Sequence, residues 1–166
     1  MLRGARLLPV AVLLGAVTAC AARGPAGRPT PAPPPPALSP TAASLVGTAL
    51  SLNGTPYRRG GADPSGFDCS GLVAYVFGRH GLRVPRNVAG LFLAGAPVRD
   101  TQIKAADLVF FRTAGSGITH VGIALGDGRF VHAPSTSGTV RIEALSSRYW
   151  RERFAGARRL AALPPR

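Results

Sequence analysis

The chain is short of acid, sulfur and lysine. Of 166 residues, 7 are Asp or Glu against 20 Lys or Arg, a formal charge of +13, and every basic residue but Lys104 is arginine. The charges are scattered and aromatics do not alternate with them, so no nucleic-acid module is supported and no nucleic-acid partner is expected. A basic surface working beside anionic polymer or lipid headgroups accounts for the balance; plain genomic arginine bias accounts for it equally well. Cysteine occurs only at 20 and 69, and histidine only at 80, 120 and 132. No Cys/His cluster has zinc spacing, so no metal site is expected. The apolar run at residues 7–17 is broken by Pro9 and Gly15 and is too short to span a bilayer. No internal repeats are visible, and the length suits one domain with accessory segments.

What is present divides the chain into three parts. Residues 1–19 read as an export signal, with Arg3 and Arg6 ahead of the apolar run. Val17-Thr18-Ala19-Cys20 then resembles a bacterial lipobox, in which the cysteine is lipidated and becomes the mature N-terminus. The alternative is an ordinary signal cleaved after Ala19 or Ala22. With Ala21 after the cysteine, the resemblance implies outer-membrane sorting, facing the periplasm, if the cell is Gram-negative. Residues 20–40 carry the lipidated Cys20 and a Pro/Ala-rich linker that includes Pro33-Pro34-Pro35-Pro36. This stretch cannot build a core, and its residues 23–40 are expected to be a stiff spacer reaching at most roughly 55 Å. The folded domain is expected over residues 41–163, enough for one compact core.

Within that domain helices come first. Residues 41–52 show an apolar stripe (Leu45, Val46, Ala49, Leu50, Leu52) ended by Asn53-Gly54. Residues 57–66 are a glycine-rich loop. Residues 69–79 form a second helix with Asp68 as N-cap and Gly81 past its end, and residues 87–93 a short third one. Strands follow at 108–111, 120–125, 129–133, 139–142 and, more weakly, 153–160. Helices followed by strands point to an α+β fold with an antiparallel sheet.

Two chemical features stand out. If Cys20 carries lipid, Cys69 has no disulfide partner, and an unpaired thiol in an exported protein points to reactivity. It also opens a helix, where backbone N–H groups and the helix dipole are expected to favour its thiolate. The second feature is the hairpin at Gly126-Asp127-Gly128. A three-residue loop with Gly128 left-handed pairs Leu125 with Arg129 and sets His132 opposite Gly122. His120 then points to the same face and is its diagonal neighbour. A two-residue loop would put the histidines on opposite faces. His80 reads as a helix C-terminal residue without a chemical role.

Five blocks in order, Tyr57-Arg58-Arg59-Gly60-Gly61, Gly66-Phe67-Asp68-Cys69-Ser70-Gly71-Leu72, Asp107-Leu108-Val109-Phe110-Phe111, Thr119-His120-Val121-Gly122-Ile123 and Phe130-Val131-His132-Ala133, closely resemble the NlpC family of bacterial cell-wall cysteine peptidases. The likeness runs over about residues 44–160 and includes Arg153-Phe154-Ala155-Gly156-Ala157-Arg158-Arg159. It implies a papain-like core, a peptidoglycan endopeptidase acting on stem-peptide or cross-link amides, and no cofactor. It implies Cys69 as nucleophile, His120 as base and His132 as the residue orienting His120. It further implies Tyr57 beside the nucleophile and Asp68 and Ser70 holding the amino end of the stem peptide. Arg86 survives from a family block whose serine and glutamines are replaced here by Asn87-Val88-Ala89-Gly90-Leu91. Ala106 stands where relatives often carry glycine, which reads as a minor backbone change. A monomer is expected. Rival readings are an amidase or acyltransferase on the same triad, or a non-catalytic wall-binding lipoprotein.

Overall fold

A computed structural model describes residues 41–136 and 138–160. The export signal, Cys20, the linker and the last residues of the expected domain, 161–163, lie outside the described residues. Among the described residues, no helix is long and apolar enough to cross a membrane.

Helix α1 (Ala42–Ser51) starts where Thr41 Oγ1 accepts the Ser44 N–H at 3.2 Å. Its buried stripe, Leu45, Ala49 and Leu52, is narrower than expected, because Leu50 is exposed. A two-stranded ribbon follows, β1 (Ala62–Asp63) and β2 (Gly66–Phe67), inside what the sequence marks only as a glycine loop. Helix α2 (Cys69–Gly78) begins immediately after it. The Asp68 carboxylate caps it by accepting the Gly71 N–H at 2.7 Å. Leu72, Val73, Val76 and Phe77 bury its inner side, and Gly81 takes the left-handed conformation past its end. His80 bonds Thr48 Oγ1 at 2.8 Å and ties this end of α2 to α1. Helix α3 (Val88–Ala94) is capped by Asn87, which accepts the Gly90 N–H at 2.7 Å.

The remaining elements are β3 (Ala96–Val98), a 3-10 turn (Asp100–Gln102), β4 (Leu108–Phe111), β5 (His120–Ala124), β6 (Arg129–His132), β7 (Arg141–Ala144), helix α4 (Arg148–Arg153) and β8 (Phe154–Arg159). They form one antiparallel sheet in the order β3-β8-β4-β5-β6-β7. The α+β fold expected from the sequence is thus present, with three differences. Pro97 lies in β3, a strand the sequence does not signal and an edge where a missing N–H is tolerated. The strand expected at 139–142 is shifted to Arg141–Ala144. The reason is that Val140 is bonded across to the loop after α1, with Val140 N–H donating to Thr55 O and Gly54 N–H to Val140 O, both at 2.8 Å. Helix α4 is the third difference; it is short and buries only Trp150.

The period-2 alternation of the sheet gives two cores. Leu108, Phe110, Val121, Ile123, Val131 and Ala133 pack under α1 and α2. Val109, Phe111, Ala124, Phe130 and Ala157 pack on the opposite face under Trp150. Each of the Val, Leu, Ile and Phe side chains among them contributes about 1.5–3 kcal/mol by leaving water. His120 belongs by alternation to the Trp150 face, whereas Cys69 packs with the helical layer.

The hairpin uses the three-residue loop. Leu125 N–H donates to Arg129 O at 2.8 Å, Ile123 pairs with Val131 and Ala124 with Phe130, and Gly128 has φ 84°. Ala106, read from the sequence as a minor change, is more than that. It has φ 68°, the left-handed region, within a turn closed by Asp107 N–H to Lys104 O at 3.2 Å. A Cβ there is strained, and glycine would not be.

Candidate active site

The capping aspartate fixes where α2 begins, so Cys69 is its first residue. Among the described residues its thiol has no disulfide partner, and it is half-buried. Helix α2 points this end at β5, where β5 and β6 have stopped pairing: no ladder pair joins them beyond Ile123 and Val131. Burial in this position pushes the Cys69 thiol up. The Val121 N–H opposes the shift, the Asp68 carboxylate adds to it, and the Ser70 and Cys69 N–H groups lower it. The helix N-terminus was expected to favour the thiolate. The donors do face the sulfur, but desolvation outweighs them and the resting group is a thiol.

His120 and His132 meet on one face, as the hairpin register demands. His120 Nε2 and His132 Nδ1 are 2.8 Å apart, with the rings edge to face. Both are buried, His120 to 7% exposure and His132 to 0%. Burial takes the His120 pKa down to about 4. Burial, then the His120 and Arg141 charges, hold His132 still lower. Gly122 makes room for the pair, since a Cβ there would come 2.5 Å from the Phe130 ring and 3.3 Å from His132 Cβ. Among the hydrogen bonds of the described residues none engages His120 Nδ1, and none joins either imidazole to the thiol. With Nε2 taken by His132, Nδ1 is the nitrogen free for a proton from elsewhere.

Trp150 was not singled out by the sequence. It is the chain's only tryptophan. Its ring stacks on His120 (centroids 5.6 Å, 23° between planes) and stands edge-on to His132 (4.8 Å, 86°). It closes the histidine pair off from water on that side. A lone tryptophan among arginines was the available signal, but only the packing gives it meaning.

Asp68, Ser70 and Arg86 are bonded to one another. Arg86 takes both Asp68 oxygens at 2.8 and 2.9 Å, and also reaches Ser70 Oγ at 2.8 Å and Gly61 O at 2.9 Å. Burial raises the Asp68 carboxyl, but Arg86, the Gly71 N–H and Ser70 together bring it below the usual carboxylate range. Gly71 lets the glycine loop lie this close, because a Cβ on it would collide with the Gly61 carbonyl oxygen. Tyr57, like Cys69, packs against the helical core. Its hydroxyl is raised by burial first and then by the Cys69 and Asp68 charges, which places it within their electrostatic reach. The sequence-derived residues thus form two groups, Asp68, Ser70 and Arg86 around the start of α2 and the linked His120 and His132 on β5 and β6, and the Cys69 sulfur meets the Val121 N–H, one residue from His120.

A cysteine opening a helix against an antiparallel sheet that carries two linked imidazoles belongs to the papain-like class of folds. Within that class the chain belongs to the NlpC/P60 family, whose model matches residues 54–159. It is 43% identical over 112 residues to the murein DD-endopeptidase MepH of Escherichia coli, covering 64% of this chain and 41% of that one. It is 37% identical over 124 residues to the gamma-DL-glutamyl hydrolase of Bacillus subtilis, covering 72% of this chain and 30% of that one. The crystal structure of an NlpC/P60 family protein from Bacillus cereus superposes with a TM-score of 0.71 at 32% identity, covering 77% of this chain and 42% of that one. The chain thus spans less than half the length of these curated relatives.

Proposed function

We propose that the chain is a cysteine peptidase of the cell wall that hydrolyses amide bonds in the stem peptides or cross-links of peptidoglycan. The observation that carries this reading is a free thiol ringed by N–H groups at the end of the sheet that bears the linked His120 and His132. In this reading the Cys69 sulfur attacks the scissile carbonyl carbon while its proton passes to His120 Nδ1. The Cys69 backbone N–H at the helix start stabilises the oxyanion. His120 returns the proton to the leaving amine, leaving a thioester. Water, deprotonated by His120, then releases the acid and restores the thiol. His132 accepts the His120 Nε2–H and holds the ring in the tautomer that leaves Nδ1 basic.

Asp68 and Ser70 receive the amino end of the stem peptide, Arg86 holds both in place, and the Tyr57 hydroxyl lies beside the nucleophile. The relatives are named for different bonds, so the two scissile amides to weigh are a D,D cross-link and γ-D-glutamyl–diaminopimelate. The export signal and Cys20 complete the proposal: a monomer, lipid-anchored at the cell envelope, with the Pro/Ala linker as its tether.

The test is mass spectrometry of purified sacculi incubated with the full-length protein. Release of muropeptides with a new amine and a new carboxylate, abolished by Cys69→Ala, is expected. Products carrying a transferred acyl group would move the assignment to an acyltransferase. Binding to sacculi that Cys69→Ala leaves intact, without any cleavage by the wild type, would overturn the enzyme reading.

A further inference from the structure

The far side of the histidine pair holds a polar hollow that the proposed chemistry does not use. His132 is fully buried, and its Nε2 has no hydrogen-bond partner among the described residues. Ser147 Oγ is likewise buried and, among the described residues, without a partner. Both residues line one hollow of about 230 Å³, together with Arg141, Glu143 and Tyr149. The strand register explains the arrangement. His132 pairs with Arg141 and Phe130 with Glu143, so Arg141 and Glu143 project on the same face as His132. Ser147 enters from the turn before α4.

The bond between the imidazoles makes this hollow chemically consequential. A neutral histidine has one N–H and one lone pair. If His132 Nε2 carries the proton, Nδ1 accepts from His120 Nε2–H and His120 Nδ1 is a free base. If His132 Nε2 is bare, Nδ1–H donates to His120 Nε2, the His120 proton moves to Nδ1, and that nitrogen cannot take one from a thiol. Whatever faces His132 Nε2 therefore selects between a basic and an inert His120. An acceptor selects the first state and a donor the second.

We propose that a water in this hollow accepts the His132 Nε2–H and is itself held by Ser147 Oγ, which makes Ser147 a positioning residue that fixes the tautomer of both histidines. The hollow is polar-lined and large enough for water, and its two buried polar atoms need a bridge. The charged or titratable groups facing His132 are His120 from β5, Arg141 and Glu143 from β7, and Tyr149 from α4. Arg141, the nearby donor that would favour the inert state, is engaged by Glu143 at 3.0 Å. Of the hydroxyls that line the hollow, those of Thr136, Ser147 and Tyr149, the Ser147 Oγ is the one buried without a partner among the described residues.

The catalytic consequence rests on the peptidase reading; the tautomer itself does not. The experiment uses the full-length ¹⁵N-labelled protein at neutral pH and reads ring tautomers from long-range ¹H–¹⁵N couplings. In the wild type, both His120 and His132 are expected to carry their proton on Nε2. Ser147→Ala should mix in the Nδ1 tautomers and lower kcat on muropeptides roughly tenfold or more, with KM and Tm unchanged. Ser147→Thr should restore most of the rate. A wild-type His132 protonated on Nδ1 would overturn the proposal, even if Ser147→Ala did not fold. So would Ser147→Ala with wild-type tautomers and kcat. A wild type that cleaves no muropeptide sinks the peptidase reading alone, since the spectra still decide the tautomer.

Discussion

Trp150 lies flat on the His120 imidazole, 5.6 Å between ring centres and 23° from parallel, while presenting its edge to His132. The contact links the covering helix of one sheet face to the proposed base. With Phe111 the indole packs on the imidazole that burial keeps neutral.

Trp150→Ala should therefore do two things at once. Removing a buried indole should cost about 3–5 kcal/mol of stability, measured by urea unfolding. The His120 pKa should climb from about 4 toward 6.5 as water reaches the ring, measured by NMR titration. A destabilised variant with an unmoved His120 would separate packing from shielding.

The depressed His120 pKa makes stability depend on pH. In the unfolded chain the group titrates near 6.5, and in the fold near 4. Above 6.5 both states are neutral and nothing changes. Between 6.5 and 4 only the unfolded chain takes the proton, so stability falls as pH falls, by about 1.4 kcal/mol per pH unit for each such histidine. His132 adds to the same slope. Urea midpoints from pH 7.5 to 4.5 should show this decline, and His120→Gln should make it shallower.

Ala106→Gly should stabilise the protein. The left-handed φ of 68° costs an L-residue about 1–2 kcal/mol, and the added freedom of glycine in the unfolded chain offsets about 0.4–1 kcal/mol. A net gain of about 0.5–1 kcal/mol is expected, read as a raised urea midpoint at unchanged slope.

Arg86→Lys should behave as a non-conservative change. One ammonium cannot hold both Asp68 oxygens, Ser70 Oγ and Gly61 O together. A loss of about 1–2 kcal/mol is expected for this part-exposed cluster. On muropeptides KM should rise more than kcat falls, because the loosened groups are those proposed to receive the peptide's amino end. An unchanged KM would remove Asp68 and Ser70 from substrate binding.

Local chemistry made much of this architecture readable beforehand. Asp68 caps the helix it precedes, and Gly128 sets a loop length that brings His120 and His132 together. These signals act within a few residues. What stayed hidden depends on distant partners. Residues 139 and 140 look like strand, but Val140 is taken by Thr55 and Gly54, so β7 begins later. The two-residue strands β1 and β2 are too short for any alternation to show. Helix α4 has one buried residue and hence no period. The direction of the Cys69 shift depended on how deeply the sheet end buries it, which no helix-start argument contains.

The strand order also bears on how the molecule is assembled. β8, last among the described strands, is inserted between β3 and β4 instead of lying at a border. Until it docks, both neighbours show a bare ladder edge, and helix α4 with its Trp150 has no anchor downstream. Cys69, His120 and His132 all precede β8 in the chain, so the indole that covers the two imidazoles is fixed in place only by the strand laid down after them.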